Sequence, residues 1–255
     1  MRILLNGCRG FMGREVISLC ERGYRGATLA AGIDPSVTEE DNLYRSAREA
    51  DTRGADVIID FSHHSAAPEI CALAVNAGLP IVVATTGHTE AEKEAIADAA
   101  RCVPVFYAAN MSVGVALLCE LAKKAAIALP DADIEIVETH HTRKLDAPSG
   151  TALMLAEQIC TVRPEAYIST GRSGRTPRDK NEIGIQSVRL GNIVGEHEIR
   201  IGTGAETITL RHEAHSRALF AEGAIAAAEF IIGMPEGMYS MKDMIAAGDK
   251  ADARV

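Results

Sequence analysis

The chain has 255 residues, 47% hydrophobic but only 4% aromatic and without Trp, which suits one large or two modest domains with a core of Ala, Val, Ile and Leu. A net charge of −9 excludes nucleic acid as the main partner, since phosphate binding needs a basic surface. Six scattered cysteines (8, 20, 71, 102, 119, 160) without C-x-x-C exclude a disulfide frame or zinc ribbon. With no run near the ~18 apolar residues of a membrane span and no leader pattern after Met1, they predict reduced thiols in a cytoplasmic protein without membrane contact.

Ile3, Leu4 and Leu5 predict a short strand that stops at Asn6-Gly7. Gly7-Cys8-Arg9-Gly10-Phe11-Met12-Gly13 follows, and then a helical pattern through Val16, Ile17, Leu19 and Cys20. The spacing is G-x-x-G-x-x-G. Gly7 makes a tight turn, Gly10 lets a pyrophosphate approach the backbone, and Gly13 lets the helix pack close to the sheet. A second strand, Thr28 to Ile33, ends at Asp34, about 20 residues past the loop, where a carboxylate accepts hydrogen bonds from a ribose diol.

Strands Asp56–Asp60, Leu79–Ala84 and Val103–Tyr107 then alternate with helices Ala66–Ala77 and Thr89–Ala100. This alternation predicts a parallel, doubly wound, Rossmann-like sheet with ligands beyond the carboxyl ends of its strands. Phe61-Ser62-His63-His64, Thr85-Thr86-Gly87 and Ala108-Ala109-Asn110-Met111 each follow a strand end and are expected to line one cleft. His63 and His64 read as loop or helix-start residues, and His88 as a cap or a solvent-facing residue.

Past a long helix, Ser112 to Leu129, the rhythm changes. The strand Asp133–Thr139 runs into His140, His141 and Lys144, a turn at Asp146, Pro148, Ser149 and Gly150, and a helix, Thr151 to Ile159. Basic side chains thus stand beside a helix N-terminus, where free N–H groups and the macrodipole favour an anion. Imidazole and ammonium there both bind a carboxylate and move protons. Ser169 to Asn181 is Gly/Ser-rich and basic and reads as a mobile loop. Segments Ile183–Leu190, Glu196–Ile201 and Glu206–Arg211 read as hairpin-joined strands, with turns at Gly191-Asn192 and Gly202–Gly204. With the strand at 133 they predict a smaller α+β domain with an open, roughly four-stranded mixed sheet, one face of which serves an oligomer interface. The Ala-rich helix Ala218–Ile232 returns to the first domain. The expected domains are 1–110 with 217–255 for the dinucleotide, and 111–216 for substrate and oligomerisation. His140-His141 does not predict a metal site, because a third ligand is missing.

The glycine loop and the segment EIVETHHTRKLDAPSGTA resemble the 4-hydroxy-tetrahydrodipicolinate reductase family, also called dihydrodipicolinate reductases, of lysine and diaminopimelate biosynthesis. The family signature E-[IV]-x-E-x-H-x-x-x-K-x-D-x-P-S-G-T-A is met by Glu135, Ile136, Glu138, His140, Lys144, Asp146, Pro148, Ser149, Gly150, Thr151 and Ala152. The resemblance extends to DFS at 60–62, ATTG at 84–87, AANMSVGV at 108–115, RLGNIVGEH at 189–197 and the SR-x-x-FA-x-GA pattern at 216–224.

It implies that His140 is the acid/base residue and Lys144 the proton donor, with His141, Gly150 and Thr151 holding the substrate's carboxylates. Gly7, Cys8, Arg9, Gly10, Phe11 and Met12 become the pyrophosphate cradle and Asp34 the ribose contact. Ala84, Thr85, Thr86, Ala108, Ala109, Asn110 and Met111 become the nicotinamide-side wall. The implied reaction is reduction of a cyclic imine dicarboxylate by NADH or NADPH in a homotetramer joined through the second sheet. Two departures stand out: Thr142-Arg143 replaces a basic pair that many members carry. Pro35 and Phe11 also occupy positions that are often basic, so NADH is expected to serve at least as well as NADPH. Two rival readings are a dinucleotide-sensing regulator and an aldehyde or amino-acid dehydrogenase. The regulator would have no use for Lys144 and His140 beside an anion site, and no cysteine has a nucleophile's setting.

Overall fold

The computed structural model describes residues 1–38 and 42–252; positions 253–255, the end of the expected dinucleotide domain, lie outside them. In chain order the strands are β1 (Arg2–Asn6), β2 (Thr28–Ile33), β3 (Leu43–Tyr44), β4 (Val57–Asp60), β5 (Ile81–Val83), β6 (Pro104–Tyr107), β7 (Asp133–His140), β8 (Tyr167–Thr170), β9 (Glu182–Arg189), β10 (Gly195–Gly202), β11 (Thr207–Ala214) and β12 (Gly237–Tyr239). The α-helices are α1 (Phe11–Glu21), α2 (Ala67–Ala77), α3 (Glu90–Ala99), α4 (Val113–Ala128), α5 (Gly150–Cys160), α6 (Ala218–Ile231) and α7 (Met241–Asp252). The chain divides into two compact units, Met1–Ser112 with Ala218–Val255, and Val113–Arg217.

The first unit holds a seven-stranded, all-parallel sheet in the order β12-β6-β5-β4-β1-β2-β3. The chain winds outward from β1 through β2 and β3, then returns to lay β4, β5 and β6 on the other side. The order therefore reverses between β1 and β4, the place where such sheets bind ligands. Both faces are covered, which is why these strands read as continuous apolar runs. Leu4, Ile58, Ile81, Val83 and Val105 pack with Ile70, Cys71 and Ala74 of α2 and Ile96 and Ala99 of α3. From the opposite face Phe106 meets Phe230 of α6 edge-on, with ring centroids 6.2 Å apart, and α6 lies along α1. The doubly wound parallel sheet was legible in the alternation of strands and helices. The edge strands β3 and β12, of two and three residues, were too short to show a period.

In the second unit five strands take the order β11-β10-β7-β9-β8. β7 is antiparallel to β10 and parallel to β9, so the sheet is mixed. Two details differ from the sequence reading. Gly191-Asn192 does not close a hairpin, because β7 lies between β9 and β10; only β10 and β11 form an antiparallel hairpin pair. The fifth strand, β8, takes Ser169 and Thr170 out of the stretch read as a mobile loop. Two arginines of that stretch are paired with carboxylates outside it. The Arg172 guanidinium donates to both carboxylate oxygens of the buried Glu182 at 2.8 Å. Arg178 donates to Asp133 and Glu135 and to the carbonyls of Ile134 and Glu182. Their carboxylate partners lie on β7 and β9, outside the stretch.

Candidate active site

Side chains alternate across a strand, so Ile134, Ile136, Glu138 and His140 share one face of β7. The register sets Ile183, Ile185, Ser187 and Arg189 of β9 beside them, and Ile201, Ile199 and His197 of β10 on the other side. One half of this face is apolar. Its isoleucines form the core with Ala122 and Ala126 of α4 and Leu155 and Ile159 of α5. The other half carries Glu138, His140, Arg189 and His197. A buried polar group costs free energy unless it is hydrogen-bonded, and here the polar half bonds to itself.

Glu138 is fully buried. Arg189 donates to it through both terminal nitrogens, Nη1 to Oε2 and Nη2 to Oε1, each at 2.9 Å. The Ser149 backbone N–H donates to Oε1 at 3.2 Å, and His140 Nδ1 lies 2.5 Å from Oε2. Burial pushes the Glu138 carboxyl up, but hydrogen bonds from Arg189, Ser187 and His140 outweigh it and hold it below the usual range. Arg189 also donates to the Asp146 carbonyl at 2.6 Å, so one carboxylate and one guanidinium join β7, β9 and the turn before α5.

Ser149 caps α5. Its Oγ accepts from Ala152 N–H, and its carbonyl accepts from Leu153 N–H. The N–H groups of Gly150 and Thr151 stand ahead of these at the positive end of the helix. Ser149 Oγ is also 3.0 Å from His197 Nε2. His197 is buried, and burial first, then the neighbouring His140, pushes its imidazole down to about 4. It is neutral at pH 7. The rings of His140 and His197 meet edge-on, with centroids 5.2 Å apart.

The strand alternation separates His140 from His141. His141 donates its backbone N–H to the Ile193 carbonyl, and its buried Nδ1 has no hydrogen-bond partner among the described residues. Burial, then the charges of Arg143 and Arg217, lowers its imidazole from the ordinary histidine range. Lys144 Nζ is 2.9 Å from Asp146 Oδ1, with its side chain 21% exposed. Its charge bears on both His141 and His197. Thus His140, His141, Lys144 and the start of α5 at Gly150-Thr151 form one neighbourhood. Arg143 turns aside to Asn192 Oδ1 at 2.7 Å. Glu138, Arg189 and His197 were in the quoted motifs without a role. The strand period alone places Glu138 on the face of His140, whereas Arg189 and His197 arrive only with the register.

In the first unit, the glycine turn occupies the carboxyl end of β1 at the strand-order reversal. Gly7 has φ +80°, and a Cβ there would lie 2.6 Å from the Phe61 carbonyl oxygen after β4. A Cβ on Gly13 would lie 2.1 Å from the Gly7 oxygen. Side chains are excluded at these two glycines, and the backbone of Gly7–Met12 turns from β1 into the first turn of α1. Asp34 accepts from Arg9 N–H at 3.2 Å through Oδ2 and from Ser36 N–H and Oγ through Oδ1. Burial pushes its carboxyl up, but these hydrogen bonds prevail and hold it down. A pocket of about 430 Å³ adjoins it, lined by Val37, Thr38, Leu43, Tyr44, Arg45 and Glu49. Ala84, Thr85 and Thr86 follow β5, and Ala108 to Met111 follow β6, so both groups lie at the same edge of the sheet.

The buried Asp60 ties this edge together. It accepts from Asn6 Nδ2 at 2.8 Å, Ser62 Oγ at 2.6 Å and Thr85 Oγ1 at 2.9 Å. His63 Nδ1 accepts from Ser65 N–H at the start of a short 3-10 turn, and His64 pairs with Glu92. His88 corrects the sequence reading: it is buried against Tyr107, its Nδ1 3.3 Å from the hydroxyl, and it neither caps a helix nor faces solvent. Among the described residues no group of His, Cys, Asp and Glu is arranged to hold a metal ion. No helix there is long and apolar enough to cross a membrane.

Residues 1–111 match the family described as "Dihydrodipicolinate reductase, N-terminus", and residues 114–245 match "Dihydrodipicolinate reductase, C-terminus". The chain is 43% identical over 252 residues to the 4-hydroxy-tetrahydrodipicolinate reductase of Caldanaerobacter subterraneus subsp. tengcongensis, covering 97% of this chain and 99% of that protein. It is 39% identical over 248 residues to that of Clostridium novyi, covering 96% and 98%. The solved structure of a dipicolinate-bound dihydrodipicolinate reductase from Paenisporosarcina sp. TG-14 superposes with a TM-score of 0.80 at 26% identity, covering 94% of this chain and 97% of that one.

Proposed function

The chain belongs to the dihydrodipicolinate reductase family, and from that premise we propose how its own residues carry the reaction. It is an NAD(P)H-dependent oxidoreductase that reduces 4-hydroxy-tetrahydrodipicolinate to tetrahydrodipicolinate in diaminopimelate and lysine biosynthesis. When bound, a reduced nicotinamide supplies the hydride, and the protein supplies position and protons. The turn at Gly7–Met12, with no room for a side chain at Gly7, and the Asp34 carboxylate fit such a dinucleotide. Gly7, Cys8, Arg9, Gly10, Phe11 and Met12 take the pyrophosphate and Asp34 the ribose. Ala84, Thr85, Thr86, Ala108, Ala109, Asn110 and Met111 flank the nicotinamide.

The observation that carries the catalytic assignment is the buried Glu138–Arg189–His140 cluster beside Lys144 and the positive end of α5. Loss of the 4-hydroxyl as water leaves a conjugated imine, and hydride addition to that imine leaves negative charge on nitrogen. The Lys144 ammonium gives that charge a proton, and His140 acts as the acid/base partner. His141 and the N–H groups of Gly150 and Thr151 hold the substrate's carboxylates. The experiment is competition by dipicolinate, a flat diacid, against substrate. His141→Ala is expected to raise its inhibition constant about tenfold or more, as for loss of a hydrogen bond to a charged group, with the dinucleotide KM little changed. Equal inhibition of both proteins would remove His141 from substrate binding.

Two finer assignments belong to the same proposal. NADH serves at least as well as NADPH, because a 2′-phosphate meets the Asp34 carboxylate. The protein works in the cytoplasm as a homotetramer joined through the sheet of the second unit.

A further inference from the structure

We propose that Glu138 and Arg189 are positioning residues that fix the tautomer of His140, keeping its proton on Nδ1 and leaving Nε2 as the edge that exchanges a proton. The role rests on His140 being the acid/base residue, as above. An ionised carboxylate only accepts hydrogen bonds, so the imidazole nitrogen 2.5 Å from Glu138 Oε2 must carry hydrogen. The neutral ring then has one acceptor nitrogen left, Nε2. No hydrogen bond among the described residues reaches Nε2. A Cβ on residue 195 would lie 3.0 Å from it, so Gly195 leaves space along that edge of the ring.

Arg189 does for Glu138 what Glu138 does for the imidazole. Its fork engages both carboxylate oxygens at 2.9 Å, and its own direction is set by the carbonyls of Asp146 and Val188 at 2.6 and 2.7 Å. A bidentate guanidinium fixes the carboxylate plane as a single ammonium cannot. The Ser149 N–H adds a fourth donor from the turn that precedes α5. The carboxylate therefore couples the orientation of the His140 ring to the backbone of the proposed diacid site. An apolar pair of similar volume would fill the space, but it would leave the imidazole free to choose either tautomer.

The test reads the imidazole nitrogens directly by ¹⁵N NMR, with steady-state kinetics alongside. In the wild type, neutral His140 is expected to show the Nδ1–H tautomer; the Nε2–H tautomer would overturn the proposal without any variant. Glu138→Gln is expected to lose that preference and to lower kcat by roughly 10- to 1,000-fold, the range of a general acid–base contribution, with the dinucleotide KM within about twofold. Arg189→Lys keeps the charge and loses the fork, and a smaller fall of the same kind is expected. A folded Glu138→Gln protein with wild-type kcat would overturn the positioning role. His140→Gln separates the two levels. If it keeps full activity, the acid/base reading fails. If it is inactive while Glu138→Gln is not, that reading stands and only the positioning role fails.

Discussion

His197 sits deep enough that its own protonation is linked to folding. Burial first, and then His140, holds its imidazole at about 4, against an ordinary value near 6.5. The unfolded chain binds the proton more readily, so His197 contributes stability in full above pH 6.5 and loses it as the pH falls toward 4. The whole span amounts to about 3 kcal/mol at most. Urea midpoints measured across that window are expected to fall less steeply for His197→Gln than for the wild type; parallel curves would contradict the assignment. Asp34 carries a different kind of prediction. Its oxygens already accept from Arg9 and Ser36, and the carboxyl is held ionised, so an added 2′-phosphate meets a fixed negative charge. The ratio of kcat/KM for NADH to that for NADPH is expected to be one or more, and Asp34→Asn is expected to shift it toward NADPH. A strong wild-type preference for NADPH would refute this reading.

The sheet of the second unit carries its interior on one face only. Helices α4 and α5 pack on the face of Ile134, Ile136, Ile183 and Ile199. Val137, Val188 and Tyr167 lie on the other face, with Val188 and Tyr167 exposed at 39% and 49%. Apolar side chains on an open sheet face fit the proposed joining of copies through this sheet. Val188→Asp is expected to shift sedimentation toward smaller species without unfolding the chain, and an unchanged wild-type tetramer would place the interface elsewhere. Four strands of this sheet were legible, β10 and β11 from their period-two alternation and β7 from its IEIV centre, whereas β8 was not read as a strand. Their neighbours were not. Hairpin logic pairs consecutive strands, whereas β7 enters between β9 and β10, and pairing over such a distance leaves no local mark. His88 shows the same limit. Beside Gly87 and ahead of a capped helix it reads as a surface residue, and only the packing of β6 brings Tyr107 over it.

Across the whole chain, chemistry was most legible where one continuous segment holds it. The glycine turn after β1, and the cationic corner from His140 to Thr151, needed only local spacing to be found. What stayed hidden was the support from distant residues: Arg189 and His197 reach the corner across strands, and Asp60 gathers Asn6, Ser62 and Thr85 from three strand ends. The central claim is that Lys144 delivers the proton as a dicarboxylate imine is reduced. The measurement is oxidation of NADH on addition of enzymatically generated 4-hydroxy-tetrahydrodipicolinate, for the wild type and for Lys144→Ala, with dinucleotide affinity determined in parallel. The expected result is robust turnover by the wild type, a kcat lower by roughly 10²- to 10⁴-fold in the variant, and dinucleotide affinity within about twofold. Equal turnover by the two proteins would contradict the account.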